Sequence, residues 1–212
     1  NYSPFMDAIQ EKMAGDDVMV LVHGYLAGGF AGKDKCMSSP KDVKGMQMRA
    51  AGKSFNQLLA GAGASIASMA SSEIYNAMQT GVLDGANTSS SSFVSYRIYE
   101  QVKCYTPAAE QALWFMYQPL LMTKSKFESL NGAQQKALKA GAKKAEEFYL
   151  EEAKKEDAQS VSVFKKAGVQ IKEMTKAEFE AWRDLAKQTS YKEFVAGYPE
   201  GQRFLDLALA VE

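Results

Sequence analysis

The sequence lacks long hydrophobic runs, since no stretch of about 18 consecutive apolar residues occurs in its 212 residues. A helix needs about 20 mostly apolar residues to cross a bilayer, so no segment is predicted to span a membrane. The chain opens NYSPFMDAIQ, with neither an initiator methionine nor the pattern of a signal peptide. We therefore expect a processed or trimmed product.

An excess of charge of one sign is also lacking. The 25 basic and 25 acidic residues give a formal net charge of +0. A nucleic acid or an anionic membrane is usually attracted by a net positive charge, so neither is an expected partner, and direct lipid binding should be negligible. Any bound anion must be held by local groups.

Residues that ligate metals or act as nucleophiles are scarce. The two cysteines, Cys36 and Cys104, are too few for a disulfide framework and lack the spacing of metal ligands. The single histidine, His23, follows the apolar stretch Val18–Val22, which predicts a buried strand. No nucleophile with an acid partner is patterned around His23, so we interpret it as a hydrogen-bonded residue at a strand end. We expect no catalytic residue, metal or cofactor.

Two glycine-rich stretches do not meet the requirements of nucleotide sites. In residues 24–33 Ala27 stands where a phosphate-binding loop needs its first glycine, and Asp34 stands where it needs Ser or Thr. After Gly61-Ala62-Gly63, Ile66 occupies the place of the third glycine of a dinucleotide fingerprint.

One predicted strand delivers an arginine to its carboxyl end. Ser39-Pro40-Lys41-Asp42 has the pattern of a capped short helix that Gly45 closes. Met46–Met48 then predicts a strand, and Arg49 follows it. A forked guanidinium can meet both oxygens of a carboxylate, although an arginine paired with an acid at the surface is the alternative.

A second predicted strand ends in polar residues. Ser71 or Ser72 is expected to cap a helix that Gly81 stops. Val82–Leu83 predicts a buried strand, Asp84-Gly85 ends it, and Asn87-Thr88-Ser89 forms a loop at its carboxyl end. Because open α/β sheets bind ligands at the carboxyl ends of strands, the two strand ends predict a binding cleft.

The remaining sequence predicts a strand and several helices. Ala112–Met122 is apolar and aromatic and predicts one strand, whose Trp114 and Phe115 either line the cleft or belong to the core. Asn131 with Gln134 predicts a cap for a long charged helix, and Thr175 with Glu178 a cap for a later amphipathic one. A last helix is expected at about Glu200–Val211.

The phrases PKDVKGMQMRAAG, SSEIYNAMQTGVLDGANT and YEQVK resemble the solute-binding receptors of TRAP (tripartite ATP-independent periplasmic) transporters, the DctP-like family. In that family a D-L-K-G-x-K-x-R strand supplies the arginine that grips the substrate carboxylate, and a S-E-V-Y-x-A-L-Q-T-G-x-V-D-G helix and strand follow. The resemblance covers about the last two-thirds of such a receptor, without its amino-terminal part.

The resemblance implies an α/β fold like that of periplasmic binding proteins, with two domains, a long inter-domain helix and an incomplete amino-terminal part. The first domain would comprise residues 1–27 and 113–155, and the second residues 28–112 and 156–212. The implied ligand-binding residues are Arg49, Ser71, Asn87, Thr88, Trp114 and Phe115.

The implied function is a periplasmic receptor, not an enzyme, that captures a small organic carboxylate and hands it to the membrane subunits of a TRAP transporter. Cys36 and Cys104 could pair in that oxidising compartment, but the sequence leaves this open. An α/β enzyme acting on a small anion and a helical interaction module are the alternatives. A half-built first domain would expose a strand edge, so we expect a homodimer of this truncated chain.

Ser71 and Thr88 depart from the family pattern. Ser71 stands where many members have an aromatic residue. Thr88 occupies the position of the ligand-binding amide, with Asn87 one residue early. We therefore expect a different or bulkier acid than the common short ones.

Overall fold

The structure, a computed structural model, describes residues 3–211. The chain divides into two compact units. Unit 1 comprises Asn1–Tyr25, Tyr117–Ala153 and Val195–Glu212, and unit 2 comprises Leu26–Met116 and Lys154–Phe194.

Within the described residues the α-helices are α1 Pro4–Gly15, α2 Lys53–Gly61, α3 Ile74–Gln79, α4 Ser90–Ser95, α5 Lys124–Glu128, α6 Gly132–Lys166, α7 Lys176–Gln188, α8 Ser190–Gly197 and α9 Gly201–Leu209. Short 3₁₀ helices lie at Pro40–Val43, Ser71–Glu73 and Ile98–Glu100. The strands are β1 Val18–Val22, β2 Tyr25–Gly32, β3 Gln47–Arg49, β4 Ser65–Ala67, β5 Gly85–Ser89, β6 Cys104–Thr106, β7 Trp114–Tyr117, β8 Leu120–Thr123 and β9 Gln170–Ile171.

Unit 2 is built on a mixed sheet with the strand order β4-β3-β5-β2-β6-β9, and β7 also pairs with β2. β3 runs parallel to β4 and β5, β2 runs antiparallel to β5 and β6, and β6 runs parallel to β9. Each face of the sheet carries a hydrophobic cluster. Phe30 and Met48 belong to one, and Ala31 and Ala86 to the other. Since successive side chains of a strand point to opposite faces, the alternation of these residues separates the two faces.

Unit 1 contains a two-stranded antiparallel sheet of β1 and β8, with α1 packed against β1. α9 contacts α1, and an ion pair of 3.2 Å joins Lys12 Nζ to Glu200 Oε2. α9 therefore belongs to unit 1, and not to the second domain with which the last helix is grouped on the resemblance. The amphipathic pattern predicts the helix, but the surface that it covers is set by contacts distant in sequence.

His23 lies at the end of β1, as predicted, and both of its ring nitrogens are hydrogen-bonded. The Gln10 amide lies 2.8 Å from Nε2, and the Tyr117 hydroxyl lies 2.8 Å from Nδ1. Burial lowers the pKa of His23 below its ordinary value, against the opposite influence of the Glu146 carboxylate. A neutral ring that accepts from Gln10 and donates to Tyr117 satisfies this geometry.

Three of the helix caps predicted from local patterns, at Ser39, Asn131 and Thr175, are confirmed. Ser39 and Asp42 form a capping box, with Pro40 in the first turn, and Thr175 with Glu178 forms another. Asn131 Oδ1 accepts from Gln134 N at 2.9 Å, and Gln134 Oε1 accepts from Asn131 N at 3.1 Å. These signals lie within three residues of each other, so the sequence alone contains them.

The predicted strand at Val82–Leu83 is wrong. The amides of both residues still donate to the carbonyl of Ala77, so they belong to the turn that ends α3. The strand begins at Gly85, where Asp84-Gly85 is predicted to end it, and it includes the polar residues predicted to form a loop. The polar sequence of β5 does not indicate a central strand. The segment is one because it pairs with β2 on one side and β3 on the other.

Two smaller predictions are also corrected. Ala70, rather than Ser71 or Ser72, is the N-cap of the 3₁₀ turn that leads into α3, and Glu73 Oε2 accepts from Ala70 N at 2.7 Å. The single strand predicted for Ala112–Met122 is two strands, β7 and β8, with Pro119 between them. Proline has no N–H to donate to a ladder, which explains the break.

Candidate functional site

Arg49 is the last residue of β3, as predicted, and only 9% of its surface is exposed. Two main-chain carbonyls orient its guanidinium. Nε donates to the Met69 carbonyl at 3.2 Å, and Nη1 donates to the Asn87 carbonyl at 2.8 Å. Both bonds lie within unit 2, so this unit alone holds the side chain in place.

No acidic side chain of residues 3–211 forms an ion pair with Arg49. A guanidinium has five N–H donors, and two of them are used by the two carbonyls, so three remain. Burial is the one cause that shifts the pKa of Arg49, and it lowers that pKa from its ordinary value. Arginine stays protonated in proteins, so the guanidinium of Arg49 is a buried positive charge. Within the described residues it has unused donors and no negatively charged partner.

Thr88 lies on the same face of the sheet as Arg49. Arg49 pairs with Ala86 in the parallel ladder, and Thr88 is two residues further along β5. Paired residues and residues two apart on a strand point to the same face. The structure therefore places the side chains of Arg49 and Thr88 on one face of the sheet.

The Asn87 side chain points to the opposite face. Its Nδ2 donates to the Gly29 carbonyl at 3.0 Å, and only 1% of the residue is exposed. The main-chain carbonyl of Asn87, rather than its amide group, contacts the Arg49 guanidinium. Asn87 thus acts on this site by orienting Arg49.

Ser71 is half-buried and begins the 3₁₀ turn two residues after Met69, whose carbonyl binds Arg49. The segment that carries Ser71 therefore contacts Arg49 through the Met69 carbonyl. The hydroxymethyl side chain of Ser71 is much smaller than the aromatic ring that the resemblance leads us to expect at this position.

The two aromatic candidates occupy different environments. Trp114 is 9% exposed, belongs to the cluster around Phe30, and donates Nε1–H to the Ala51 carbonyl at 3.3 Å. Phe115 follows it on β7 and is 59% exposed. The alternation of a strand explains the difference: the Trp114 ring is core, and the Phe115 ring remains available to a ligand.

Sequence reasoning missed the carbonyls of Met69 and Asn87. Every residue carries such a group, so no sequence signal distinguishes the two that orient a guanidinium. The orientation depends on β3 and β5 being neighbours, which is a property of the sheet.

Cys36 and Cys104 form a disulfide with a Cα–Cα distance of 5.0 Å. This settles the pairing that the sequence leaves open. Among residues 3–211, no group of three or more His, Cys, Asp or Glu side chains is placed to hold a metal ion. In the same part of the chain, no helix combines the length and apolarity needed to cross a bilayer.

The comparisons with known proteins agree with this architecture. A solute-binding protein of Albidiferax ferrireducens is 38% identical over 200 residues, which cover 94% of this chain and 58% of that protein. A solute-binding protein of Chromohalobacter salexigens is 27% identical, over 92% of this chain and 56% of its own length. The chain thus spans a little over half the length of these curated relatives.

Two solved structures carry the same fold. A TRAP periplasmic solute-binding protein from Rhodoferax ferrireducens, with bound malonate, has a TM-score of 0.90 at 34% identity over 98% of this chain and 66% of that one. Another from Sulfitobacter sp. NAS-14.1, with bound β-D-galacturonate, has a TM-score of 0.83 at 25% identity over 96% and 66%. Residues 2–197 match the DctP family, described as bacterial extracellular solute-binding protein, family 7. The chain therefore belongs to the DctP family of bacterial extracellular solute-binding proteins.

Proposed function

We propose that the protein is a periplasmic receptor that captures a small organic carboxylate and delivers it to the membrane subunits of a TRAP transporter. The observation that carries the proposal is the buried Arg49 guanidinium, which has three unused donors and no acidic partner in the described chain. A buried charge is costly unless something pairs with it. A carboxylate ligand would supply that pair and could accept two parallel N–H bonds.

The ligands of the two similar structures support this chemical class. Malonate and β-D-galacturonate differ in size and shape, and both carry a carboxylate. The proposal assigns the carboxylate to Arg49, and the rest of the ligand to the Thr88 side chain, the segment at Ser71 and the Phe115 ring. The missing aromatic residue before α3 leaves space, which favours an acid bulkier than malonate.

The periplasmic location draws support from the disulfide. Disulfides form and persist in oxidising compartments, and the structures similar to this chain are periplasmic proteins. Binding rather than catalysis is proposed, because Arg49 can attract and orient an acid but offers no nucleophile or base. The homodimer expected from the sequence stays a prediction.

Calorimetry on the full-length protein tests the role of Arg49, with malonate and galacturonate as probes. We expect Arg49→Ala to weaken binding by at least ~30-fold, or about 2–5 kcal/mol, because the carboxylate would be desolvated without a partner. Arg49→Lys should also bind poorly, since a point charge cannot replace the fork. The ligand-free melting temperature should change little, because the alanine variant loses two hydrogen bonds to main-chain carbonyls but also removes a buried charge that has no partner.

Arg97→Ala is the matched control. Arg97 is exposed and ion-paired with Glu100 on the surface of the same unit, so its removal should leave the affinity unchanged. Wild-type affinity in Arg49→Ala would contradict the proposal. If neither probe binds the wild-type protein, mass spectrometry of ligand released from denatured protein identifies the acid, and the variants are then measured with that acid.

A further inference from the structure

A small cavity in unit 2 is lined by two polar side chains, each with an oxygen atom that lacks a hydrogen-bond partner. Four buried side-chain atoms of the described residues have none, and two of them, Asn87 Oδ1 and Thr106 Oγ1, belong to residues that line this one cavity. Asn87 is 1% exposed and Thr106 is 2% exposed. Buried polar atoms are nearly always hydrogen-bonded, so two unsatisfied polar atoms at one cavity require a common explanation.

The sheet register places the two residues on the same face. Phe30 on β2 pairs with Asn87 on one side and with Thr106 on the other. Side chains of directly paired residues project to the same face, so both polar side chains flank Phe30 on the side of the apolar cluster. Gly28, two residues before Phe30, also lines the cavity.

The orientation of the Asn87 amide follows from its one bond. Nδ2 donates to the Gly29 carbonyl, which can only accept, so the nitrogen and oxygen of the amide cannot be exchanged. Oδ1 is therefore left as an acceptor that needs a donor. The Thr106 hydroxyl can both donate and accept.

The cavity offers about 10 Å³ to the centre of a water molecule. This is close to the smallest space that holds one water, and the occupant must offer at least one donor to Asn87. We propose that this cavity is a site for a single internal water molecule, which donates to Asn87 Oδ1 and hydrogen-bonds to Thr106 Oγ1. Gln111 is a third polar residue of the lining. The inference does not rest on the proposed function.

A cation fits the site less well than water. The lining contains no carboxylate, and hard cations take six or more oxygen ligands or keep several waters of their own. A water molecule needs only two to four hydrogen-bond partners, and Asn87 Oδ1 and Thr106 Oγ1 already provide two.

High-resolution crystal structures of the full-length protein, with and without a bound acid, test the proposal. We expect one density peak at about 2.7–3.2 Å from both Asn87 Oδ1 and Thr106 Oγ1 in both states. Thr106→Val should lose the peak, and Thr106→Ser should keep it. Thr80→Val is the matched control, because Thr80 Oγ1 is exposed and bonds to the Asn76 carbonyl instead; it should leave the peak in place.

Three results would overturn the proposal. They are the absence of a peak in the wild-type protein, a peak surrounded by oxygens at the shorter distances of a metal ion, and a ligand atom in place of the water when the acid is bound. The wild-type structures decide the question even if Thr106→Val does not fold.

Discussion

Removal of the Cys36–Cys104 disulfide should markedly destabilise unit 2. Cys36 follows β2, and Cys104 opens β6, where it pairs with Gly32 in the antiparallel ladder. The most informative variant replaces both cysteines with alanine. Serine at position 104 would place a hydroxyl in a site that is only 2% exposed, and this would add an unrelated cost.

The size of the effect follows from the length of the loop that the disulfide closes. Its two ends are 68 residues apart. In the chain-entropy description, closing a loop of that length in the unfolded state is worth about 4 kcal/mol at 25 °C. Native disulfides usually contribute about 2–5 kcal/mol, so we expect a loss of about 2–4 kcal/mol in the free energy of unfolding.

Tryptophan fluorescence during urea unfolding isolates this effect. The chain has two tryptophans, Trp114 and Trp182, and both lie in the core of unit 2. Their emission therefore reports the unfolding of the unit that contains the disulfide. The wild-type protein with a reducing agent should resemble the double alanine variant, and that variant should not respond to the reducing agent.

An unchanged unfolding midpoint in the double variant would refute the reasoning. Two free thiols per oxidised, denatured chain would refute its premise, because the cysteines would then be unpaired. A large change in the slope of the transition would show that the compactness of the unfolded state had changed in addition to its loop entropy.

Glu178 accepts hydrogen bonds from Ser38 Oγ, from Thr175 N and Oγ1 and from Lys172 Nζ; burial raises its pKa, but these bonds outweigh burial and lower it to about 2. Its ordinary value is 4.5, so the ionised form stabilises the fold above pH 4.5, and this contribution is lost as pH falls towards 2. Glu178→Gln should flatten that part of the stability profile measured by urea unfolding. Gly29→Ala should prevent folding of unit 2 or destabilise it severely, as circular dichroism would show, because a Cβ there would lie 2.0 Å from the Thr106 carbonyl oxygen.

Each of these two predictions has a control variant. Glu180→Gln removes an exposed carboxylate of the same helix and should leave the acid limb of the profile unchanged. Gly141→Ala adds a Cβ that meets nothing within 4 Å in α6, and helix propensity predicts a small gain in stability. Equal acid profiles for the wild type and Glu178→Gln, or equal stability of Gly29→Ala and the wild type, would contradict the respective arguments.

The sequence predicts the features that depend on neighbouring residues. The capping boxes at Ser39 and Thr175, the strand that ends in Arg49, and the left-handed glycine at 81 that stops a helix are all correct. Each depends on side chains or backbone preferences a few residues apart, so the physical cause lies within the sequence pattern.

The features that the sequence does not predict depend on pairing across the fold. Gly85–Ser89 has the composition of a loop, and it is a strand because β2 and β3 flank it. The sequence places Arg49 and Thr88 at strand ends, but it cannot show that Asn87 turns away and contributes its carbonyl instead. Among residues 3–211, the absence of an acid partner for Arg49 likewise depends on where the acidic side chains lie in space.

Unit 2 is assembled from two stretches of chain, Leu26–Met116 and Lys154–Phe194, and this sets an order of events in its folding. Synthesis proceeds from the amino end, so β2 to β6 exist before β9 and α7 do. Both cysteines lie in the first stretch and can be oxidised while β6 is still an open edge. The core closes only when α7 brings Trp182 against Phe30. Covalent closure can therefore precede completion of the core, because both cysteines and the strands that carry them belong to the first stretch.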